Sequence, residues 1–227
     1  MNLRSKESNK DLKSKEIIAA FDFDGTLING DTLIIIHRLL ANPLERAKNY
    51  IYLINSLILW KLGFQNSSWI KEKYINLILK SARRKYSEKN LKMLLKNNLY
   101  FLIYKSINME ALKRINWHKD RGHRIIIISA SPKEFLIPIA NKLEIELIST
   151  ETSTIDEYFI DNYFALKSIN CKGEEKVKRL EKFIDKKIDD IELHAYGDSK
   201  GDYEILKAAD YPHWRNFKEE TSNPPIK

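Results

Sequence analysis

Cysteine is nearly absent. Cys171 stands alone among 227 residues, so no disulfide can form within the chain. A reducing, cytoplasmic setting is therefore expected. Long apolar runs are missing as well. A membrane-spanning helix needs roughly 18 to 20 consecutive apolar residues. The nearest approach, Tyr50 to Leu62, is shorter and contains Asn55 and Ser56. Residues 1–15 lack the apolar stretch of a secretory signal and read as a flexible tail. Neither an internal repeat nor a low-complexity tract is present. His37, His118, His123, His194 and His213 show no metal-ligand spacing and read as structural or surface residues.

What remains is the profile of a folded protein: 43% hydrophobic, 31% charged, mean hydropathy −0.44. The length allows one core domain with a smaller insert. Net charge is +8, unevenly spread. From Leu33 to Ile115 there are 16 Lys/Arg against 4 Asp/Glu, a surplus of 12, which leaves −4 for the remainder. Such asymmetry points to an anionic partner, although a basic surface alone is weak grounds.

Ile17 to Phe23, Arg124 to Ser129 and Ile191 to Tyr196 read as buried parallel strands, with Glu144 to Ile148 a weaker fourth. Pro132 to Leu143 and Glu174 to Ile184 carry helical spacing between them. Alternating strands and helices imply a doubly wound, mostly parallel α/β sheet. The stretch 33–115, with one Gly and one Pro, reads as an all-helical insert. The expected division is a tail at 1–15, a core from 16–32 and 116–227, and a helical cap at 33–115. Asp156 to Ser168 alternates aromatic and polar residues and reads as a small hairpin.

Four features carry chemistry. The first is Asp22-Phe23-Asp24-Gly25-Thr26, two acids where a buried strand ends. Open α/β sheets bind ligands at such strand exits. Gly25 lets the backbone turn and bring N–H groups toward a phosphate. The second is Gly197-Asp198-Ser199-Lys200-Gly201-Asp202, again acids after a strand. Carboxylates from two strand ends make an all-oxygen site suited to Mg²⁺. The third is Ser129, whose hydroxyl, with the N–H that follows it at Ala130, can hold phosphate oxygens. The fourth is Lys176, able to neutralise phosphoryl charge from the start of a helix. Each alone has an ordinary structural explanation. Together, in this order along predicted strands, they do not.

These motifs resemble those of the haloacid dehalogenase superfamily of phosphohydrolases, over about Ile17 to Phe217. Asp22 to Thr26 is similar to the first motif, Ser129 to the second, Lys176 to the third, and Gly197-Asp198 to Asp202 to the fourth. The helical insert resembles the family's helical cap. Ser129-Ala130-Ser131-Pro132 and Cys171 to Val177 resemble the branch of phosphoserine phosphatases and phosphatidylglycerophosphatase-like enzymes. The resemblance implies a Rossmann-like core and Mg²⁺-dependent phosphomonoester hydrolysis through an aspartyl-phosphate. Asp22 would be the nucleophile and Asp24 the general acid–base. Asp22, the main-chain carbonyl of Asp24 and Asp198 would hold Mg²⁺, with Asp202 orienting that shell. Gly25, Thr26, Ser129, Ala130 and Lys176 would bind phosphate. Lys172 competes with Lys176 for the third-motif role. Lys176 is favoured because it opens the pattern Lys176, Val177, Leu180, Phe183. Asp31 stands where phosphoserine phosphatases carry Glu, and Ser129-Ala130-Ser131 where they carry Ser-Gly-Gly, which points away from phosphoserine.

The implied substrate is a small phosphorylated metabolite or a lipid phosphate. A run such as Tyr50 to Leu62 is ordinarily a core helix. With the basic surplus around it, the alternative is peripheral docking on an anionic membrane, as for a phosphatidylglycerophosphatase-like enzyme. A different class, a non-catalytic nucleic-acid binder, would use the same lysines with Tyr50, Tyr52, Trp60, Trp69 and Tyr74. No nucleic-acid motif supports it.

Overall fold

The computed structural model describes residues 15–63 and 67–224. The expected tail falls, apart from Lys15, outside the described residues. Five parallel strands form one sheet in the order β3-β2-β1-β4-β5. They are β1 Glu16–Phe21, β2 Arg124–Pro132, β3 Glu146–Thr150, β4 Ile191–Gly197 and β5 Tyr211–Trp214. β1 is hydrogen-bonded on both sides, to β2 and β4. With neighbours at both edges and helices on both faces, its sequence can be apolar without interruption.

Side chains alternate between the two faces of a strand. Ala19, Phe21, Ile125 and Ile127 join one core with α6 (Met109–Lys119) and α7 (Lys133–Leu143). Ile18, Ala20, Ile126 and Ile128 join the other with α9 (Glu174–Ile184) and α10 (Tyr203–Ala208). The result is a three-layer α/β/α sandwich. Connections run outward from β1 through β2 to β3, then cross to β4 on the other flank. The switch point therefore lies at the carboxyl ends of β1 and β4, where such folds open a crevice.

Between β1 and β2 the chain is helical. It forms α1 (Thr32–Leu40), α2 (Pro43–Lys61), α3 (Ser67–Arg83), α4 (Glu88–Met93), a π-helical turn (Leu94–Asn98), α5 (Leu99–Lys105) and α6. Leu33, Ile36, Leu40, Tyr74, Ile78 and Leu99 from this stretch extend the core on the Phe21 face. α2 contributes differently. Its buried polar residues are Asn49 and Ser56, while Ile51, Ile54, Leu57, Ile58 and Leu59 are exposed.

Two local expectations differ. The hairpin expected over Asp156 to Ser168 is instead α8 (Ile155–Asp161) followed by a short return. Thr154 Oγ1 accepts from Glu157 N–H at 3.1 Å, and Glu157 Oε2 accepts from Thr154 N–H at 2.7 Å. That reciprocal pair starts a helix, and Asn162 ends it at φ 55°. β5 was not anticipated. It is four residues long and carries Pro212, which is tolerated because β5 is an edge strand.

Candidate active site

Register brings the site together. Phe21 pairs with Ile127 on one side and Tyr196 on the other. The Asp22 amide donates to the Tyr196 carbonyl at 2.9 Å. Asp22 thus leaves β1 abreast of Gly197-Asp198 leaving β4. Carboxylate oxygens of Asp22, Asp198 and Asp202 lie within 4.8 Å of one another. Both glycines here are required by close approach. A Cβ on Gly25, at φ +80°, would fall 2.5 Å from Asp198 Oδ2, and one on Gly197 would fall 2.5 Å from Asp202 Cβ.

Lys176 sits beneath this cluster, 2% exposed, although it begins a helix rich in surface lysines. Its ammonium donates to Asp22 Oδ1 at 2.5 Å, Asp202 Oδ1 at 2.5 Å and the Ile128 carbonyl at 2.7 Å. Burial disfavours that charge, but Asp22 and Asp202 hold the ammonium above the usual lysine range. Lys172, the rival, is exposed. Asp202 uses its other oxygen to accept from Ser199 N–H at 3.0 Å and Ser199 Oγ–H at 2.8 Å. It therefore ties the β4 loop to Lys176. Thr26 Oγ1 donates to Asp198 Oδ1 at 3.1 Å.

Asp24 is placed apart from the other three carboxylates. Its Oδ1 accepts from Thr32 N–H at 2.7 Å and Thr32 Oγ–H at 2.5 Å, and its Oδ2 from the Ser131 hydroxyl. Burial first, and Asp31 second, raise its carboxyl above the usual range, against those hydrogen bonds. Burial likewise raises Asp22, against the pull of Lys176. A carboxyl that holds its proton longer is the property a general acid requires.

Some expected phosphate contacts take another form. The Gly25 amide donates to the Gly30 carbonyl at 3.0 Å and the Thr26 amide to the Phe23 carbonyl at 3.4 Å. Gly25 and Thr26 thus hold the loop and Asp198 rather than offering those donors outward. Ser129, 1% exposed, accepts from the Ser131 amide at 3.0 Å. Beside Gly25 and Asp198 opens a cavity of about 250 Å³, also lined by Thr26, Asn108, Arg215 and Asn216.

Sequence reasoning missed four residues. Thr32 and Ser131 grip Asp24. Lys71, from α3, donates to the Ala130 carbonyl at 2.8 Å and to Asn170 Oδ1 at 2.9 Å. Burial brings the Lys71 ammonium down to about 8, opposed by Asp24 and Asp31. Ser131 lies within the Ser129 to Pro132 motif without its role being marked, and no local motif marks Thr32, Lys71 or Asn170.

The donor set suits a hard divalent cation. Three carboxylates face one lysine ammonium, so the cluster is under-neutralised, and every anionic donor is oxygen. The Asp24 carboxylate lies outside this group, so Asp24 could contribute there only through its main chain.

Comparison with known proteins bears on the same residues. The family of haloacid dehalogenase-like hydrolases matches residues 19–207. The chain belongs to that family. Protein CicA of Caulobacter vibrioides is 27% identical to this hydrolase over 216 residues, 94% of the chain and 92% of the relative. A protein of unknown function from Bordetella pertussis superposes with a TM-score of 0.70 at 21% identity, covering 88% of this chain and 89% of that one. A substrate-bound phosphoserine phosphatase superposes with a TM-score of 0.51 at 16% identity, covering 88% and 85%. At those identities the two structures show a shared fold.

Proposed function

We propose that this hydrolase is a phosphatase that cleaves phosphomonoesters with Mg²⁺ through an aspartyl-phosphate on Asp22. The reading is carried by one observation: carboxylates from the tips of β1 and β4 converge on a buried lysine, while Asp24 is held off that cluster by Thr32 and Ser131. In the first step an Asp22 oxygen attacks phosphorus and the ester P–O bond breaks. The leaving oxygen takes the proton of Asp24. Water then attacks the acyl phosphate and returns a proton to Asp24, releasing phosphate and restoring Asp22. Lys176 and the Ser129-Ala130 segment would hold the transferring group. Positioning and charge stabilisation do most of the work in such reactions. Asp22, the Asp24 carbonyl and Asp198 would hold Mg²⁺, which supplies charge neutralisation at the phosphoryl oxygens.

The helices from 33 to 115 would cap the site, with Lys71 reaching in from α3. The substrate is a small phosphorylated metabolite or a lipid phosphate. Phosphoserine is disfavoured. Asp31 is one carbon shorter than Glu and is drawn to the start of α1, accepting from Ile34 N–H at 3.0 Å as its N-cap, so it would reach a substrate amine less well.

The test is phosphate release from a panel of phosphomonoesters with Mg²⁺ and with EDTA. EDTA should abolish release. Asp22→Asn should lose all detectable turnover. Asp24→Asn should lose about 10²- to 10⁴-fold while keeping its far-UV spectrum. Normal turnover by Asp22→Asn rules out the nucleophile.

A further inference from the structure

We propose that α2 docks the protein on an anionic lipid surface, lying in the plane of the interface with its outer stripe among the acyl chains. The inference does not rest on the phosphatase reading. α2 is built inside out. Leu44, Ile51, Ile54, Ile58 and Leu62 are 52% to 66% exposed. At 3.6 residues per turn these five positions fall within about 80° of one another. The opposite face carries Asn49 and Ser56, both buried.

The inner face combines polar contacts with Tyr50 and Leu53. Asn49 Nδ2 bonds to His37 Nε2 at 3.1 Å and to Ser81 Oγ at 3.4 Å. His37 Nδ1 in turn meets Tyr74 Oη at 2.7 Å. A helix that only closed a core would place its isoleucines inward. Here Asn49 and Ser56 sit inward beside Tyr50, edge-on to His37, and the half-buried Leu53, while Ile51, Ile54 and Ile58 are left to the outside. A contiguous apolar surface of this kind marks an interaction site.

Charge selects the occupant. The chain from 33 to 115 carries a surplus of 12 positive charges. Arg84, just past the end of α3, lies 3.8 Å from Glu45 in the first turn of α2. Lys48 and Lys61 are exposed on α2 itself. An apolar stripe with a basic border fits anionic headgroups above acyl chains. A twofold contact with a second copy would set the same basic border against itself. Among the described residues no helix is long and apolar enough to cross a bilayer, so α2 would lie flat.

The experiment is flotation of the full chain with phosphatidylglycerol-containing vesicles and with pure phosphatidylcholine vesicles. It compares the native chain with the triple variant Ile51→Gln, Ile58→Gln, Leu62→Gln. The native chain should float with the anionic vesicles at low salt. Binding should fall about tenfold or more at high salt, on neutral vesicles and in the triple variant. An unchanged melting temperature of the variant shows that it folds. The proposal is overturned if the native chain stays in the soluble fraction, or if the variant floats equally well. A dimer in light scattering that the triple variant dissolves, without vesicle binding, assigns the stripe to a second copy instead.

Discussion

Helices α9 and α2 depart from the ordinary distribution of side chains in opposite directions. α9 lies on the sheet with Leu180 and Ile184 inward, as its pattern predicts, yet it also buries Lys176. α2 turns Asn49 and Ser56 inward and leaves its isoleucines outside. A buried cation is costly unless paired, and Lys176 is paired twice, by Asp22 and by Asp202. The cost is met locally, inside the protein. Nothing inside the described chain covers the apolar face of α2, so its compensation has to come from outside. The first departure locates a reaction centre, and the second locates a surface.

The largest expected effect breaks the α9 side of this comparison. Lys176→Met would leave the buried Asp22 and Asp202 carboxylates facing each other without their counter-ion. Removing one partner of a buried pair costs about 3 to 5 kcal/mol. The expected outcome is a melting transition far below that of the native chain, partly recovered by added Mg²⁺, with no measurable phosphate release. Thermal denaturation with and without Mg²⁺ reads both. A variant as stable as the native chain would show that the pairing carries no such weight.

How much of this was legible beforehand depended on distance along the chain. Asp22, Asp24 and Asp198 could be singled out because each sits where an apolar strand stops, within three residues of a glycine. The parallel sheet was readable for the same reason. Helical spacing favoured Lys176 over Lys172 without settling the choice, since the burial that decides it depends on α9 packing over β2. Ser131 lay in the quoted Ser129 to Pro132 segment but with no sign of its partner, and Thr32, Lys71 and Asn170 had no local sign at all. Thr32 and Ser131 reach Asp24, and Lys71 joins Ala130 to Asn170, from separate elements that only the tertiary fold brings together. The Thr154-x-x-Glu157 box was in plain view, and the aromatic alternation after it was mistaken for a strand period. For α2, the run of apolar residues was visible but not which way it faced.

The sheet offers a third case, in which buried ionisable groups give up their charge. His118 on α6, His194 on β4 and His213 on β5 are buried with their rings in a row. Burial first, then neighbouring histidines and Arg114, bring His118 down to about 2 and His194 and His213 to about 4. Unlike Lys176 they have no carboxylate against them strong enough to keep a proton. In the unfolded chain they titrate near their ordinary value, about 6.5. Below that pH the unfolded state binds more protons than the folded one. The contribution of these histidines is therefore full above about 6.5 and is lost as pH falls toward 4, by up to about 1.4 kcal/mol per pH unit for each, while the raised Asp22 and Asp24 carboxyls act in the opposite sense. His213→Phe keeps the ring stacked on Tyr196 at 4.3 Å. It should make the loss less steep, measured by denaturant unfolding across that pH window. An equal slope in the variant would remove His213 from the account.

The smallest expected effect is the sharpest test of the contrast with α9. Ile58 on α2 and Ile78 on α3 are the same residue type in neighbouring helices, but Ile58 is 52% exposed and Ile78 is 1%. Ile78→Ala removes packed core and should cost about 2 to 5 kcal/mol. Ile58→Ala removes surface and replaces a β-branched residue with a better helix former, so stability should stay within about 0.5 kcal/mol of native or rise slightly. Denaturant unfolding in the absence of lipid measures both. If Ile58→Ala costs as much as Ile78→Ala, the outer stripe of α2 is already covered within the protein itself. A near-zero cost leaves that stripe with no role in folding, so a role outside the fold is what accounts for its isoleucines.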